Sequence, residues 1–508
     1  MDNTEKNKRI ARNTLFLYLR MGVVMLIALY TTKVVLRVLG VEDFGIYNIV
    51  CGFVALFGIF NTCFSTSINR FYNYEIGQGN GYGIRTVYNT SLKIQLVLAL
   101  FVVVLIELVG CWYIENVMVL PAERLSTAKW IFHFAVFSTF FTIIQAPYSA
   151  AVIAYEKMDY FALVSVIDAF LKLGIVFSLH YVVGDRLIVY GFLISLISFI
   201  NFFLYFIYCK YKFPEIRLER GVDKKFMKSM LSFIGWSTLD PLAYTLRDQG
   251  LNLVLNLFFG PIVNAAQGIA YQISAVVDNF GGGFSLSFRP QIIQSYSEGQ
   301  FDRTKSLMLS MSKISYMLHV MIIIPIIIEI HYILHLWLGD NYPSYAIPFT
   351  CLILCIKAIG SLNSPISTVV SATGNISKIK IFSAVIISSI IPASIILYKF
   401  DNSPSSAYVA LLCLTIINQI GCVVFLRQLF PYIKIIEYFR NLILPLSLHT
   451  LCVLVIPLLI STLLPPSIWR LIVVFIISVV CTVCVGYMVV LNINERHLIL
   501  KLIGVFRK

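Results

Sequence analysis

Residues 186–228 read RLIVYGFLISLISFINFFLYFIYCKYKFPEIRLERGVDKKFMK, and this stretch indicates the fold class. Its first part, 186–208, is apolar apart from Arg186 and a few uncharged polar side chains, and the remainder is crowded with lysine and arginine. A run of about 20 apolar residues is long enough to cross the hydrocarbon core of a bilayer as a helix. The stretch therefore predicts a membrane-spanning helix that ends in a basic loop.

The same alternation of apolar runs and polar loops extends along the whole chain, which has 508 residues and is 59% hydrophobic. We expect an all-α polytopic membrane protein with about 14 transmembrane helices. The predicted spans are 14–38, 44–66, 88–112, 128–153, 160–182, 186–208, 229–257, 262–288, 306–337, 345–370, 378–399, 405–428, 441–464 and 468–492. The longest polar stretches, 209–228 and 289–305, are too short to fold as independent domains.

The distribution of lysine and arginine predicts the orientation of these helices. Of 39 basic residues, 28 fall in the amino-terminal tail and the even-numbered loops, 7 fall on the other side, and 4 lie inside apolar runs. Loops rich in lysine and arginine face the cytoplasm, so we expect both termini in the cytoplasm. The net charge of +14 then reflects topology, and we expect no nucleic-acid binding because the basic residues form no single patch.

The amino terminus and the cysteines indicate no processing and no cofactor. The apolar run after the basic start is longer than the core of a secretory signal, so we expect the first span to remain in the mature protein. Most of the 11 cysteines fall inside predicted helices. Cys481 and Cys484 have a CxxC spacing without a second pair or a nearby histidine, so we interpret them as packing residues and expect no metal.

The two halves of the chain share a weak repeat at a spacing of about 220 residues. The matched positions are Gly40 with Gly260, Gly79 with Gly299, Lys93 with Lys313 and, at a spacing of 218, Pro147 with Pro365. A shift of six helices preserves orientation, so the predicted repeats are parallel, as in transporters whose binding site lies between two related bundles. We therefore divide the chain into an N-terminal six-helix lobe (1–208), a cytoplasmic linker (209–228), a C-terminal six-helix lobe (229–428), and helices 13 and 14 with a cytoplasmic tail (429–508).

Eight ionisable residues lie deep in the predicted spans, where each costs roughly 2.5–3.5 kcal/mol on insertion scales. The basic ones are Arg20, Lys172, Arg247 and Lys357, and the acidic ones are Asp168, Asp240, Asp248 and Asp278. Such groups need a partner or a watery cavity. Their charges cancel, so a cationic cavity follows only if the acids pair elsewhere or if Lys93 and Lys313 also face the cavity.

Each of these positions has a structural and a functional interpretation. Arg20 either extends to the interface or faces a cavity. The i,i+4 spacing of Asp168 and Lys172 predicts a pair on one helical face, either permanent or exchanging partners with substrate or proton. Lys357 has no acid near it in sequence, which favours a cavity.

The seventh predicted span combines a proline with charges. Pro241 removes a backbone hydrogen bond and should bend this helix at Asp240. Arg247 follows two turns later on the same face, and a purely structural ion-pair cluster is the alternative. In the eighth span, the glycines at 281–283 after Asp278 allow either a hinge or close helix packing.

Motifs for catalysis are missing from the sequence. His331 and His335 have an i,i+4 spacing but lack the glutamate of HExxH, and neither GxSxG nor a Walker A sequence occurs. We therefore expect a transporter and not an enzyme. Without an ATP site, an ion gradient, the membrane potential or downstream consumption of the product should drive it.

Several stretches resemble Wzx-type oligosaccharide flippases of the multidrug/oligosaccharidyl-lipid/polysaccharide exporter superfamily. These are KRIARNTLFLYLRMGVVMLIALYTTKVVLRVLGVEDFGIYNIV, SINRFYNYEIGQGN, GLNLVLNLFFGPIVNAAQGIAYQI, RPQIIQSYSEGQ and SATGN, in this order within residues 6–400. The resemblance implies two six-helix bundles that form a V-shaped cavity, with two extra C-terminal helices, and that alternate between inward-open and outward-open states.

The resemblance also implies a location, the bacterial inner membrane, and a substrate, undecaprenyl-diphosphate-linked oligosaccharide. The substrate would move from the inner to the outer leaflet for O-antigen, capsule or exopolysaccharide synthesis. Its diphosphate would then contact the basic candidates, and three acids would serve ion coupling. The substrate-binding set is Arg20, Lys172, Arg247, Lys357, Lys93 and Lys313, and the coupling set is Asp168, Asp240 and Asp278. The expected partners are membrane lipids and the glycosyltransferases and polymerase of the same pathway, and the expected state is a monomer.

Two other functions fit parts of the sequence. A cation-coupled multidrug exporter of the same superfamily would depend on the same three aspartates. A membrane-embedded polysaccharide polymerase would need large outer loops bearing arginine or histidine, whereas the predicted outer loops are short and contain little of either.

Overall fold

The structure of the chain is a computed structural model that describes residues 3–77, 79–219, 227–228, 230–231, 239–340, 342–373, 377–401, 403–492 and 495–496. Side chains are described from Arg20 onward, with some helical positions omitted. Every regular element in these ranges is helical. The predicted all-α class is therefore confirmed.

The chain divides into two compact units, Met1–Ala265 and Ala266–Lys508. The helices that begin in the first unit are α1 (Asn3–Ala55), α2 (Gly58–Gly77), α3 (Gly81–Asn116), α4 (Leu125–Ala154), α5 (Met158–Ser178), α6 (Arg186–Lys212), α7 (Leu239–Phe259) and α8 (Pro261–Ser297), which continues into the second unit. The predicted lobe and linker boundaries remain a proposal.

The second unit continues with shorter segments, several of which join into longer spans. Its helices are α9 (Phe301–Ile328), α10 (Ile330–Leu338), α11 (Ala346–Gly360), α12 (Asn363–Thr373), α13 (Ser377–Ser388), α14 (Ile390–Phe400), α15 (Ser406–Leu429), α16 (Ile435–Tyr438), α17 (Leu444–Leu463) and α18 (Ile468–Val485). One π-helical segment, Phe439–Ile443, connects α16 to α17, and another, Gly486–Val490, follows α18.

Eleven helical stretches in the described part of the chain are long and apolar enough to cross a membrane. The predicted number of 14 spans is not confirmed, because α2, α7 and α8 are outside that set. All three carry many polar side chains, as in GIFNTCFSTSINRFYNYEIG of α2. Low hydropathy in a helix of a membrane protein indicates that one face contacts polar groups and not lipid.

Helix α3 shows why these elements form in a membrane. Its packed face carries Ala99, Val102 and Ile106, which are fully buried, whereas Leu100 and Val104 on the opposite face are more than half exposed. A helix that is apolar on both its packed and its exposed face is stable in lipid and not in water. At 36 residues, α3 is also longer than the predicted 88–112, because it continues to a cap at Asn80, whose side chain accepts the N–H of Gly83.

Local features repeat between the two halves, as the sequence predicts. A positive φ occurs at Gly40, where α1 is kinked, and at Gly260, directly after α7, with values of 83° and 75°. Gly79 and Gly299 also have a positive φ, at 65° and 73°. A positive φ is strained for residues with a Cβ, so matched glycines at these turns support duplication of one backbone design.

An ion pair is duplicated as well. Arg85 near the start of α3 contacts Glu219 of the linker (Nη1–Oε1 2.6 Å), and Lys305 near the start of α9 contacts Glu437 of α16 (Nζ–Oε2 2.5 Å). The basic residues are 220 positions apart and the acidic ones 218. Each repeat therefore ties the segment after its sixth helix to the beginning of its third.

Candidate functional site

Charged and polar side chains from α1, α5 and α6 meet in the first unit. On α5, Phe161, Asp168 and Lys172 are spaced by 7 and 4 residues and so lie on one helical face. Helix α1 contributes Arg20 and α6 contributes Asn201. We call these five residues the first charged cluster.

Arg20 is the least compensated charge of the first charged cluster. Its guanidinium carbon lies 4.9 Å from the centroid of the Phe161 ring, a cation–π contact. Its Nε is buried and has no hydrogen-bond partner. Among the described residues, no carboxylate forms an ion pair with it, although the phenol of Tyr205 interacts electrostatically with Arg20 and Asp168. A half-buried cation without an anion leaves room for an anionic ligand.

Asp168 is fully engaged. Its carboxylate accepts the Lys172 ammonium (Nζ–Oδ2 2.8 Å) and an amide N–H of Asn201 (Nδ2–Oδ1 2.8 Å). The i,i+4 spacing thus produces the ion pair that the sequence predicts. Asn201 was not a sequence candidate, although an amide in the middle of the apolar run 186–208 is itself a signal for a buried partner.

Arg247 lies on α7 and pairs with its neighbour in sequence. Its Nε is 2.6 Å from Oδ1 of Asp248, and its guanidinium lies 5.0 Å from the centroid of the Tyr244 ring. The side chain of Arg247 is 12% exposed. The side chains of Asp240 and Pro241 are not among those described, and the predicted bend at Pro241 remains a prediction.

The second unit holds a second charged cluster, formed by Asp278 of α8, Lys357 of α11 and His319 of α9. Lys357 Nζ lies 2.5 Å from Oδ2 of Asp278. Lys357, which has no acid near it in sequence, therefore has an acidic partner in the fold, because helix packing brings together residues that are 79 positions apart. His319 is buried, hydrogen-bonds through Nδ1 to the carbonyl of Ser315 (2.8 Å), and interacts electrostatically with both members of the pair.

Lys93 and Lys313 lie apart from both charged clusters. Lys93 donates to the backbone carbonyl of Glu219 in the linker (3.3 Å). Lys313 is 1% exposed, and its ammonium lies 2.9 Å from Oε2 of Glu495, beyond the last helix. Glu495 also accepts the hydroxyl of Ser310 (2.5 Å). In this structure Lys93 contacts the linker and Lys313 contacts the segment after the last helix. Their predicted contact with substrate remains a proposal.

Within the described residues, the ion pairs show which of the intramembrane basic candidates are neutralised by an aspartate. Lys172, Lys357 and Arg247 each have an aspartate within ion-pair distance. Of the four intramembrane basic candidates, Arg20 is the one for which no ion pair is described. The cationic character of a binding site in the first unit therefore depends mainly on this residue.

Comparison with protein families identifies the chain. A family model described as polysaccharide biosynthesis protein matches residues 10–282, which is more than half of the 508 residues. The chain belongs to this polysaccharide biosynthesis protein family. No curated protein matches the chain significantly in sequence.

Solved structures with the same fold are transporters. The lipid II flippase MurJ in an inward closed conformation matches with a TM-score of 0.68 at 16% identity, over 94% of this chain and 98% of that chain. A multidrug resistance MATE family transporter of the MOP superfamily matches in its inward-facing conformation (0.66, 14% identity, 81% and 98% covered) and in its outward-facing conformation (0.58, 15%, 84% and 96%). At these identities the likeness shows the fold. Together with the family, it confirms the predicted resemblance to flippases of this superfamily, and the eleven candidate spans indicate a multi-pass membrane protein.

Proposed function

We propose that this chain moves an undecaprenyl-diphosphate-linked oligosaccharide from the inner to the outer leaflet of the bacterial cytoplasmic membrane, by alternating access, for surface polysaccharide synthesis. The family supports a role in polysaccharide biosynthesis, and the fold is that of transporters. A sugar–diphosphate head group cannot cross hydrocarbon unaided, whereas its polyprenyl tail can stay in lipid. A polar path along the protein is then sufficient.

The observation that carries the substrate class is the state of Arg20. Burial of a cation without a counter-ion is costly, and a guanidinium is suited to bind phosphate oxygens through paired N–H groups. The Phe161 ring contacts the guanidinium without neutralising its charge. Phosphate would supply the missing anion and accept from the unpartnered Nε.

The first charged cluster offers a second contact. The Lys172 side chain is 43% exposed, so its ammonium is able to leave Asp168 and reach a phosphate while Asn201 continues to satisfy the carboxylate. Lys357 and Arg247 are proposed as further contacts along the path, each released from its aspartate. This exchange of partners would give Asp168 and Asp278 their proposed coupling role, with Asp240 as the third acid.

Complementation of a deletion strain tests this function. We expect loss of the gene to strand lipid-linked oligosaccharide on the inner leaflet and to abolish the surface glycan. Arg20→Gln should fail to restore the glycan and Arg20→Lys should restore part of it, because Lys keeps the charge but not the fork of N–H groups. Lys212→Gln, an exposed basic residue at the end of α6, is the matched control and should complement fully. Normal surface glycan in the deletion strain, with no redundant exporter, would refute the proposal.

A cation-coupled drug exporter is the second candidate, favoured by the cluster of Asp278, Lys357 and His319 and by a fold shared with MATE transporters. In that case Asp168→Asn and Asp278→Asn should abolish export of cationic dyes, and Arg20→Gln should not. Dye export by the parent no greater than that of the deletion strain would exclude this candidate and favour the flippase.

We also propose that both termini lie in the cytoplasm, that the protein acts as a monomer, and that glycosyltransferases and a polymerase of the same pathway supply and consume its substrate. The basic residues described along α6 and the linker, such as Lys210, Lys212 and Arg217, are consistent with a cytoplasmic surface.

A further inference from the structure

Three buried asparagines form a hydrogen-bonded network where α7 ends and α8 begins. Asn256 accepts the backbone N–H of Val119 (3.0 Å) and donates to the carbonyl of the same residue (3.2 Å). Asn264 donates to the carbonyl and to the side-chain oxygen of Asn252 (2.7 and 2.6 Å), and Asn256 donates to Asn264 (3.3 Å). Asn256 and Asn264 are fully buried, and Asn252 is nearly so.

The network joins segments that are far apart in sequence. Val119 belongs to the connection between α3 and α4, whereas Asn256 is 137 residues later on α7. The first helix of the second repeat is thereby held against the third and fourth helices of the first repeat, all within the first unit. Both connected turns are outer loops by the distribution of basic residues.

Two glycines allow α7 and α8 to approach α1 at the same place. A Cβ at Gly45 would lie 2.0 Å from the backbone oxygen of Pro261, and a Cβ at Gly52 would lie 2.4 Å from Nδ2 of Asn252. Gly45 and Gly52 are two helical turns apart and so lie on one face of α1. The end of α7 and the start of α8 thus pack against the glycine face of α1, in addition to the hydrogen bonds between Asn256 and Val119.

Amide side chains, and not apolar ones, form this contact between helices. Leucine or alanine would pack between helices without requiring partners, whereas each buried amide destabilises the protein if its hydrogen bonds are not made. Hydrogen bonds between amides and backbone groups can be exchanged for water when a contact opens, whereas separated apolar surfaces have no such replacement. A fully satisfied polar contact at the outer end of a transporter therefore suits a closure that is made and broken in every cycle.

We propose that Asn252, Asn256 and Asn264, together with the backbone of Val119, are the outer latch of the transport cycle. The latch holds α7 against the first repeat while the outward side is closed, and its hydrogen bonds pass to water when that side opens. This inference rests on the proposed alternating access, but it concerns the conformational equilibrium and not the substrate.

The test is the accessibility of a reporter cysteine beneath the latch, measured without substrate. Gln249→Cys places a thiol on α7 two turns before Asn256, next to Gly52, in a background in which the 11 native cysteines are replaced. A membrane-impermeant maleimide added from outside to cells or right-side-out vesicles labels the reporter only while the outer side is open. We expect slow labelling with the latch intact.

Breaking the latch should accelerate labelling. Asn256→Ala removes three hydrogen bonds that stabilise the closed state and should raise the labelling rate by about tenfold or more. Gly45→Ala, which forces the backbone at Pro261 away, should act in the same direction by a different route. It also keeps the proposal testable if Asn256→Ala does not fold, as judged by elution in size-exclusion chromatography.

Two matched controls complete the design. Asn116→Ala removes an exposed asparagine whose amide bonds only to its own helix, at the carbonyl of Trp112, and Gly22→Ala adds a methyl group that meets nothing within 4 Å. Both should label at the parental rate. Equal rates in latch variants and controls, or fast labelling in the parent, would overturn the latch. The two proposals can fail separately. If the latch variants label faster but the deletion strain keeps its surface glycan, the latch is upheld and the flippase is refuted.

Discussion

Replacing Glu495 by glutamine should destabilise the second unit strongly, because it leaves a buried charge on α9 without its counter-ion. Lys313 is 1% exposed and its Nζ lies 2.9 Å from Glu495 Oε2. Removing one partner of a buried ion pair typically costs about 3–5 kcal/mol, since the remaining charge stays desolvated. We expect Glu495→Gln to lower the free energy of unfolding by an amount in this range.

The same reasoning predicts a rescue. The double variant Lys313→Met/Glu495→Leu removes both charges and keeps the volume apolar, so its stability should return to that of the parent or exceed it. Glu437→Gln is the matched control, because the Lys305–Glu437 pair involves the same helix but is 25% and 32% exposed, so solvent screens it and it should contribute less. Equilibrium unfolding in mixed micelles measures all four proteins. A loss for Glu495→Gln no larger than that for Glu437→Gln would refute the reasoning.

Two further outcomes are expected. Lys357→Gln and Asp278→Asn should each reduce glycan export, measured by complementation of the deletion strain. If α8 and α11 require the ion pair itself, the charge-reversed double variant Lys357→Asp/Asp278→Lys should recover part of the export. Glu329→Gln should lower the melting temperature in detergent more than any substitution of an exposed residue on α10. The reason is that Glu329 is fully buried and lies 2.6 Å from the Arg470 guanidinium. An unchanged melting temperature would contradict this expectation.

The membrane class and the approximate spans were predictable because hydropathy is a local property of a stretch of about 20 residues. The ion pair of Asp168 and Lys172 was predictable for the same reason, since an i,i+4 spacing fixes proximity within one helix. The positive φ at Gly40 and Gly260 fits the duplication that their spacing suggests. In each case the necessary information lies within one element or in a comparison of two similar ones.

Contacts between distant elements were not predictable in this way. Lys357 meets Asp278 across 79 positions, and Lys313 meets Glu495 across 182. Which carboxylate meets which lysine depends on how helices pack, and apolar sequence constrains that packing weakly. Some helix ends also extend beyond the apolar runs, because backbone hydrogen bonding continues in water up to a cap such as Asn80, which accepts the N–H of Gly83 at the start of α3.

The contacts of the buried asparagines at the turn between α7 and α8 were also not predictable from the sequence. Asn252 and Asn256 lie inside the seventh predicted span and Asn264 inside the eighth, and all three are buried. Their partners include backbone groups at Val119, and a backbone group leaves no mark in the sequence.

The central claim is that this chain carries a lipid-linked diphosphate across the membrane with Arg20 as its main anion contact. The most direct measurement is translocation of a fluorescent polyprenyl-diphosphate-linked oligosaccharide in vesicles containing purified protein, followed by quenching with an impermeant reagent. Translocation should be rapid with the parent and with Lys212→Gln, and reduced at least tenfold with Arg20→Gln, as expected for loss of one buried charge-assisted contact. Equal translocation by Arg20→Gln and the parent, or no translocation above protein-free vesicles by the parent, would contradict the claim.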